Sequence, residues 1–139
     1  MSDAITAQRI DRLRGVPIFA ELDDDALRSV LDCATEFDAP TGHVLAEAGM
    51  PGAGLFIVED GSVVVEAADH PRELGPGEFF GEISLLLPDT PRAARVQVRR
   101  AARLLAISRH DFERLLTSQP PMAIAMLRVL AKRILDPGH

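Results

Sequence analysis

The chain has 139 residues, of which 47% are hydrophobic and 26% are charged, and its formal net charge is −6. These values are typical of one globular domain and exclude a disordered tail, a fibrous repeat and a miniprotein held by disulfides. Cys33 is the single cysteine, so no internal disulfide can form, which favours a reducing compartment. We expect a cytoplasmic protein without a signal peptide or membrane segment, since no apolar run is long enough for either.

The charge is distributed unevenly along the chain. Residues 1–90 contain 18 acidic and 5 basic residues, whereas residues 91–139 contain 3 acidic and 10 basic residues. The basic part favours an anion site or a nucleic-acid contact, or else an exposed turn in which Arg99, Arg100 and Arg103 face the acidic part. The acidic net charge and the absence of Trp and Tyr argue against a general nucleic-acid surface, which needs phosphate neutralisation and base stacking.

Two helices are predicted in the N-terminal region, residues 1–35. The first covers residues 3–14 and ends before Gly15. Asp23 is placed to cap the second helix, because a carboxylate at that position accepts a hydrogen bond from a free N–H group of the first turn. Cys33 lies beside the apolar stripe of this helix, and we expect a packed rather than a reactive thiol. The apolar stripe consists of Leu27, Val30, Leu31 and Ala34.

Residues 36–108 have the pattern of an all-β unit, with short apolar runs separated by glycine and proline. The pair Asp60-Gly61 lies between the runs 55–58 and 63–65 and predicts a tight hairpin, because such turns need a positive φ. About eight short strands without crossover helices predict an eight-stranded antiparallel β jelly roll, also called a double-stranded β-helix.

C-terminal helices are predicted over residues 109–135. Ser108 and Asp111 have the spacing of a capping box at the start of the first of them. Pro121 suits the first turn of a final helix that runs to about Leu135. The whole chain, residues 1–139, is therefore read as a single domain of N-terminal helices, a β-roll and C-terminal helices.

The segment 79–88 interrupts the β pattern with a glycine and a short helix-compatible run that Pro88 ends. A helix that begins there has N–H groups without helical partners, which favours an anion. Glu82 supplies a carboxylate in this segment. Ten residues later, Arg92 supplies a planar fork of donors that suits a phosphate. This set of groups predicts a ligand with a phosphate and a nearby hydroxyl.

Two sequence motifs carry a family resemblance. Phe80-Gly81-Glu82-x-x-Leu85-Leu86, followed by Pro91-Arg92-Ala93-Ala94-x-Val96, resembles the phosphate-binding cassette of cyclic nucleotide-binding domains. Domains of this family occur in the catabolite activator protein, the regulatory subunit of protein kinase A and cyclic-nucleotide-gated channels. The resemblance extends from about Val16 to Leu135, and it places the cassette at residues 80–94.

The resemblance implies a role for several cassette residues. Glu82 is expected to accept a hydrogen bond from the ribose 2′-hydroxyl, and Arg92 to pair with the cyclic phosphate. The expected ligand-binding residues are Phe80, Gly81, Glu82, Ile83, Ser84, Arg92, Ala93 and Ala94. Ala94 stands where a Thr in eukaryotic relatives favours guanine, so cAMP is expected before cGMP. The alternative for Glu82 and Arg92 is a structural ion pair with no ligand, which is costly inside a small barrel.

In relatives the final helix closes over the purine as a lid. With no Trp or Tyr in the chain, the cap would be aliphatic or a cation, and the candidates are Leu127, Arg128, Leu130 and Lys132. The alternative is that the apolar face of this helix packs on the barrel or on the helix of a second copy, which would make a homodimer.

Catalytic chemistry finds little support in the sequence. The histidines His43, His70, His110 and His139 have no metal-ligand spacing, and no nucleophile lies near a base. We therefore expect no enzyme, metal or catalytic cofactor, and no direct DNA binding, since no helix-turn-helix follows the final helix in this chain. The leading hypothesis is a cyclic nucleotide receptor that moves its C-terminal helix and regulates a partner or fused effector. The alternative is an interaction module of the same fold whose site binds no nucleotide.

Overall fold

The computed structural model describes residues 3–49, 54–66, 71–87, 89–91 and 94–135. Helices at both ends of the chain flank an antiparallel sheet, and a short helix interrupts the strands. The helices are α1 (Asp3–Arg14), α2 (Asp24–Cys33), α3 (Glu82–Leu86), α4 (Arg109–Ser118) and α5 (Pro120–Leu135), with a 3₁₀ turn at Pro17–Phe19. The strands are β1 (Thr35–Ala39), β2 (Val44–Ala46), β3 (Gly54–Glu66), β4 (Arg72–Leu74), β5 (Phe79–Phe80) and β6 (Arg95–Ser108).

The N-terminal helices begin and pack as their sequence predicts. The Asp23 carboxylate accepts a hydrogen bond of 2.8 Å from the Ala26 N–H, which confirms the predicted cap of α2. Leu27 and Val30 of the predicted stripe are fully buried. Cys33 is partly buried against the core, and this burial raises the pKa of its thiol. A raised pKa leaves less of the reactive thiolate, in agreement with a packed thiol.

Strands β3 and β6 form the centre of the sheet. They pair with each other in antiparallel register along their whole length, from Gly54 opposite Ser108 to Glu66 opposite Arg95. β1 and β2 also pair with β6, and β4 and β5 also pair with β3. The sheet is therefore built on two long strands, with shorter strands on either side of them.

The prediction of a hairpin at Asp60-Gly61 is wrong. Residues 54–66 form one continuous strand, and the pairing register with β6 shifts between Val58 and Val63. Gly61 has a φ of +76°, and a Cβ there would lie 2.3 Å from the Ala101 carbonyl oxygen. A β-bulge and a tight turn both use a glycine with positive φ, so the dipeptide alone does not distinguish them. Because residues 54–66 and residues 95–108 each form one long strand where two short ones were expected, the described residues contain six strands rather than eight.

The buried side chains form two clusters, one on each face of the strands. The first cluster lies between the helices and the sheet and includes Phe79. The second lies on the other face of the strands and includes Phe80. The neighbouring phenylalanines of β5 thus point into different clusters, which fixes the position of the chain just before α3.

The C-terminal helices pack onto the first of these clusters. The Ser108 hydroxyl accepts a hydrogen bond from the Asp111 N–H, which confirms Ser108 as the N-cap of α4. In α5, Met122 and Met126 are buried, whereas Ile134 and Leu135 at its end are each 80% exposed. Within the described ranges, no helix combines the length and the apolar character needed to cross a membrane.

The arginines of β6 pair with acidic residues of other strands. Arg103 donates a hydrogen bond of 3.2 Å to the Asp38 carboxylate, and Arg99 lies 3.9 Å from the Glu73 carboxylate. These residues belong to a strand rather than to the exposed turn that we expected. Because these arginines pair with acidic side chains, the structure agrees with the expectation that they face the acidic part of the chain, and not with an anion site.

Candidate functional site

Gly81 sets the course of the chain through the predicted cassette. β5 pairs with β3, with Phe80 opposite Phe56, and the chain then turns at Gly81 into α3. Gly81 has a φ of +98°, in the left-handed region where a side chain is strained. The glycine therefore allows the strand to end and the helix to begin within one residue, and it places Glu82 in the first turn of α3.

Glu82 is buried and bound to an arginine of the final helix. Its side chain is 5% exposed, and its Oε1 accepts a hydrogen bond of 2.7 Å from Arg133 Nη1. The second terminal nitrogen of Arg133 donates to the Phe79 carbonyl oxygen at 2.8 Å, and the guanidinium carbon lies 4.6 Å from the centre of the Phe79 ring. A buried carboxylate needs such a partner to offset its lost hydration.

The sequence analysis did not select Arg133. The signal was nonetheless present, because Arg133 lies seven residues after Met126 and four after Val129, on the face of α5 that the structure buries. A cation at a position on the apolar face of a helix indicates a buried acidic partner. The partner itself, 51 residues earlier in the chain, could not be found from local spacing.

A second arginine holds the other end of α3. Arg109, the first residue of α4, donates hydrogen bonds to the carbonyl oxygens of Ser84 at 3.1 Å and Leu85 at 3.2 Å. The last carbonyl groups of a helix lack helical partners and attract cations. Both C-terminal helices are thus attached to the cassette helix, α5 at its start and α4 near its end.

The other predicted ligand-binding residues differ in their exposure. Phe80 is 5% exposed and stacks on the Phe56 ring at 5.0 Å, and Ser84 is 3% exposed. Ile83 is half exposed, and Ala94 is partly buried. Arg92 and Ala93 lie outside the described residues, so the predicted phosphate contacts stay predictions.

The four candidates for the purine cap lie at different depths on α5. Leu127 is 65% exposed, Arg128 is also exposed, and Leu130 packs against the first core cluster. Lys132 lines a cavity of about 390 Å³ next to the Glu82–Arg133 pair. Other residues that line this cavity are Arg72, Leu74, Phe79, Val129 and Arg133. Of the four candidates, Lys132 is therefore the one at this cavity.

Comparison with known proteins identifies the family. Residues 36–119, which are more than half of the chain, match the sequence model of the cyclic nucleotide-binding domain. The chain belongs to the cyclic nucleotide-binding domain family. The resemblance of the two cassette motifs is thereby confirmed at the level of the family. The described residues contain no group of three or more histidine, cysteine or acidic side chains that could hold a metal ion.

Several relatives and solved structures are similar to this chain. A cyclic nucleotide-gated potassium channel of Rhizobium etli is 35% identical over 118 residues, which are 85% of this chain and 33% of the channel. The structure of cAMP-bound PfPKA-R superposes with a TM-score of 0.79 at 27% identity, over 96% of this chain and 48% of that one.

A third similar structure was described with a cyclic-GMP-dependent signalling pathway that regulates bacterial phytopathogenesis. It superposes with a TM-score of 0.69 at 30% identity, over 83% of this chain and 95% of that one. The chain spans about a third of the length of the curated channel relatives that it matches.

Proposed function

We propose that the protein is a cyclic nucleotide receptor with cAMP as its first ligand, and that it acts in the cytoplasm, where Cys33 stays reduced. The observation that carries this proposal is the buried carboxylate of Glu82, placed behind Gly81 inside the matched domain. In the proposed complex Glu82 accepts a hydrogen bond from the ribose 2′-hydroxyl. Arg92 pairs with the cyclic phosphate, supported by the backbone N–H groups of Ser84 and Ala93.

The choice of cAMP rests on one side chain and one relative. Ala94 has no hydroxyl with which to bind a guanine, and PfPKA-R, a structural relative, was solved with cAMP. Because one similar structure was described with a cyclic-GMP-dependent pathway, cGMP is the second ligand to test. We expect tighter binding of cAMP than of cGMP, measured by isothermal titration calorimetry of the two nucleotides under identical conditions.

The output of the receptor would pass through the C-terminal helices. Because Arg133 and Arg109 attach α5 and α4 to the cassette helix, a ligand that changes the surroundings of α3 also changes the contacts of these helices. Lys132 lies at the cavity beside the pair and is the cap candidate we favour for the purine. The effector that reads the helix movement is a partner protein or a fused domain.

The experiment that tests the ribose contact uses Glu82→Gln. An amide is a weaker acceptor than a carboxylate, so we expect the variant to lose about 1–3 kcal/mol of cAMP binding. The variant should lose much less binding free energy for 2′-deoxy-cAMP, because this nucleotide lacks the 2′-hydroxyl. Glu113→Gln makes the same change at an exposed position of α4 and is the matched control. Equal losses for both nucleotides, or none for either, would contradict the assignment of Glu82.

A second candidate function is an interaction module whose site binds no nucleotide. Two observations favour it, because the charge of Glu82 is already neutralised by Arg133 and α5 exposes apolar side chains at Ile124, Leu127 and Ile134. Such a helix face suits a second copy of the chain in a homodimer. This candidate predicts a molecular mass that rises with protein concentration, and no heat of binding with either nucleotide at millimolar concentration.

A further inference from the structure

We propose that Glu36 and Glu59 share one proton, and that release of this proton strengthens the attachment of α1 to the sheet through Arg12. The three residues belong to three different elements, which are β1, β3 and α1. None of them lies in the cassette, so the proposal goes beyond the nucleotide site and its test needs no nucleotide. It concerns the response of the fold to pH.

The two carboxyl groups meet across the middle strand of the sheet. β1 and β3 pair with opposite sides of β6, and the side chain of Glu59 hydrogen-bonds the carboxyl group of Glu36. An ionised carboxylate can only accept hydrogen bonds, so a bond between two carboxyl groups requires that one of them carries a proton. The contact is therefore that of two acids with one proton between them.

Burial explains why the proton is held up to neutral pH. The Glu59 Oε1 is enclosed by protein, and among the described residues it has no hydrogen-bond partner. An ionised oxygen in such a place loses its hydration without compensation, which favours the protonated form. Burial, followed by the contact with Glu36, raises the pKa of Glu59 to about 7. When the pH rises through this value, the proton passes to the solvent and the pair gains a second negative charge.

Two arginines from other elements face the pair. Arg12 of α1 has its Nη2 3.9 Å from a carboxylate oxygen of Glu36, and Arg103 of β6 lies near Glu59 and donates a hydrogen bond of 3.2 Å to Asp38. Both arginines oppose the rise in the Glu59 pKa that burial causes, because a nearby positive charge favours an ionised carboxylate. By the reciprocity of linkage, the ionised pair attracts Arg12 more strongly than the protonated pair does.

Arg12 is the arginine whose contact with the pair can become closer. Its distance from Glu36 exceeds that of a hydrogen bond, and its side chain is 46% exposed, so the guanidinium has room to approach. Arg103, by contrast, is already bound to Asp38. Arg12 lies in the last turn of α1, next to the buried Leu13. A closer ion pair at Arg12 therefore strengthens the attachment of this end of α1 to the sheet.

The test measures by urea unfolding what Arg12 contributes to stability at pH 6 and at pH 8. We expect Arg12→Gln to raise the unfolding equilibrium constant about 2- to 5-fold at pH 8, and by a smaller factor at pH 6. Arg14→Gln is the matched control, because it removes the same charge from the same turn of α1, whereas Arg14 pairs with Asp11 and Asp24. Arg14→Gln should raise the constant by the same factor at both pH values.

Two further measurements connect this pH dependence to the shared proton. Glu59→Gln is uncharged at both pH values, and its amide can still donate a hydrogen bond to Glu36. In the Glu59→Gln background, the effect of Arg12→Gln should therefore be equal at pH 6 and at pH 8. Carbon-13 NMR of the Glu59 carboxyl group should show titration near pH 7 in the wild type, and at a higher pH in Arg12→Gln. In Arg14→Gln the group should titrate as in the wild type.

The results that overturn the proposal are specific. An effect of Arg12→Gln that is equal at both pH values, or larger at pH 6, would show that proton release does not strengthen the contact of Arg12. A pH-dependent effect that persists in the Glu59→Gln background would assign it to another group. Titration of Glu59 in the usual acidic range of a glutamate would show that the pair shares no proton at neutral pH. None of these results depends on nucleotide binding, so the receptor function is tested separately.

Discussion

Glu82 and Glu59 are two carboxylates that lose hydration within the described residues, and the charge of each is controlled in a different way. Glu82, at the start of α3, is paired with a cation from a helix at the far end of the chain. Glu59, in the long strand β3, hydrogen-bonds the carboxyl group of Glu36, and its Oε1 is buried without a hydrogen-bond partner. Burial, and then this hydrogen bond, raise the pKa of Glu59 to about 7.

The difference shows which part of the molecule is suited to respond to a ligand. The charge of Glu82 is balanced by a residue of a different helix, α5, next to the place that we propose for the ribose. Glu59 faces Glu36 of β1, Arg103 of β6 and Arg12 of α1, and its charge is controlled by a proton from the solvent. We therefore expect ligand dependence at Glu82 and pH dependence at Glu59.

The largest effect is expected from Arg92→Ala, which removes the proposed partner of the cyclic phosphate. Loss of a charged partner in a binding site typically costs about 2–5 kcal/mol, so cAMP affinity should fall at least about 30-fold. Titration calorimetry of the variant measures this loss. Arg95→Ala is the control, since Arg95 is exposed and paired with Glu47. Wild-type affinity in Arg92→Ala would refute the phosphate assignment.

A smaller effect is expected from Arg109→Ala, which removes the attachment of α4 to the cassette helix. The Ser84 and Leu85 carbonyl oxygens lose their hydrogen bonds, and we expect the free energy of unfolding to fall by about 1–2 kcal/mol. Urea unfolding measures this change. Arg114→Ala removes an arginine that pairs at the surface of the same helix, and it should cost less than about 1 kcal/mol. Equal losses of unfolding free energy in the two variants would show that the Arg109 hydrogen bonds stabilise the fold no more than a surface ion pair does.

The smallest effect is expected from Glu59→Gln, and it depends on pH. A carboxyl group whose pKa is higher in the folded than in the unfolded chain stabilises the fold below its unfolded pKa. This contribution is lost as the pH rises through the folded pKa of about 7. The urea midpoint of Glu59→Gln should therefore equal that of the wild type near pH 4 and exceed it near pH 8. A constant difference across this range would contradict the raised pKa.

Features that depend on neighbouring residues were predictable from the sequence. Asp23 and Ser108 cap helices because the hydrogen bonds involved join residues three positions apart. Gly81 was recognised because it interrupts the β pattern just before a helix-compatible run, and its positive φ in the structure suits that position. The family was recognised because the cassette motifs are contiguous in sequence.

Features that depend on distant parts of the chain were missed or misread. Asp60-Gly61 satisfies the local rule for a hairpin, but the pairing of both halves of β3 with β6 decides in favour of a bulge. The partner of Glu82 was sought within the cassette, whereas the contact found joins residues 51 positions apart. In both cases the deciding contact is made by a second long element, whose position no local pattern encodes.

The most direct test of the ribose assignment is a crystal structure of the chain with saturating cAMP. We predict a hydrogen bond between the ribose 2′-hydroxyl and a Glu82 carboxylate oxygen. A bound nucleotide whose ribose makes no hydrogen bond to Glu82 would contradict the assignment.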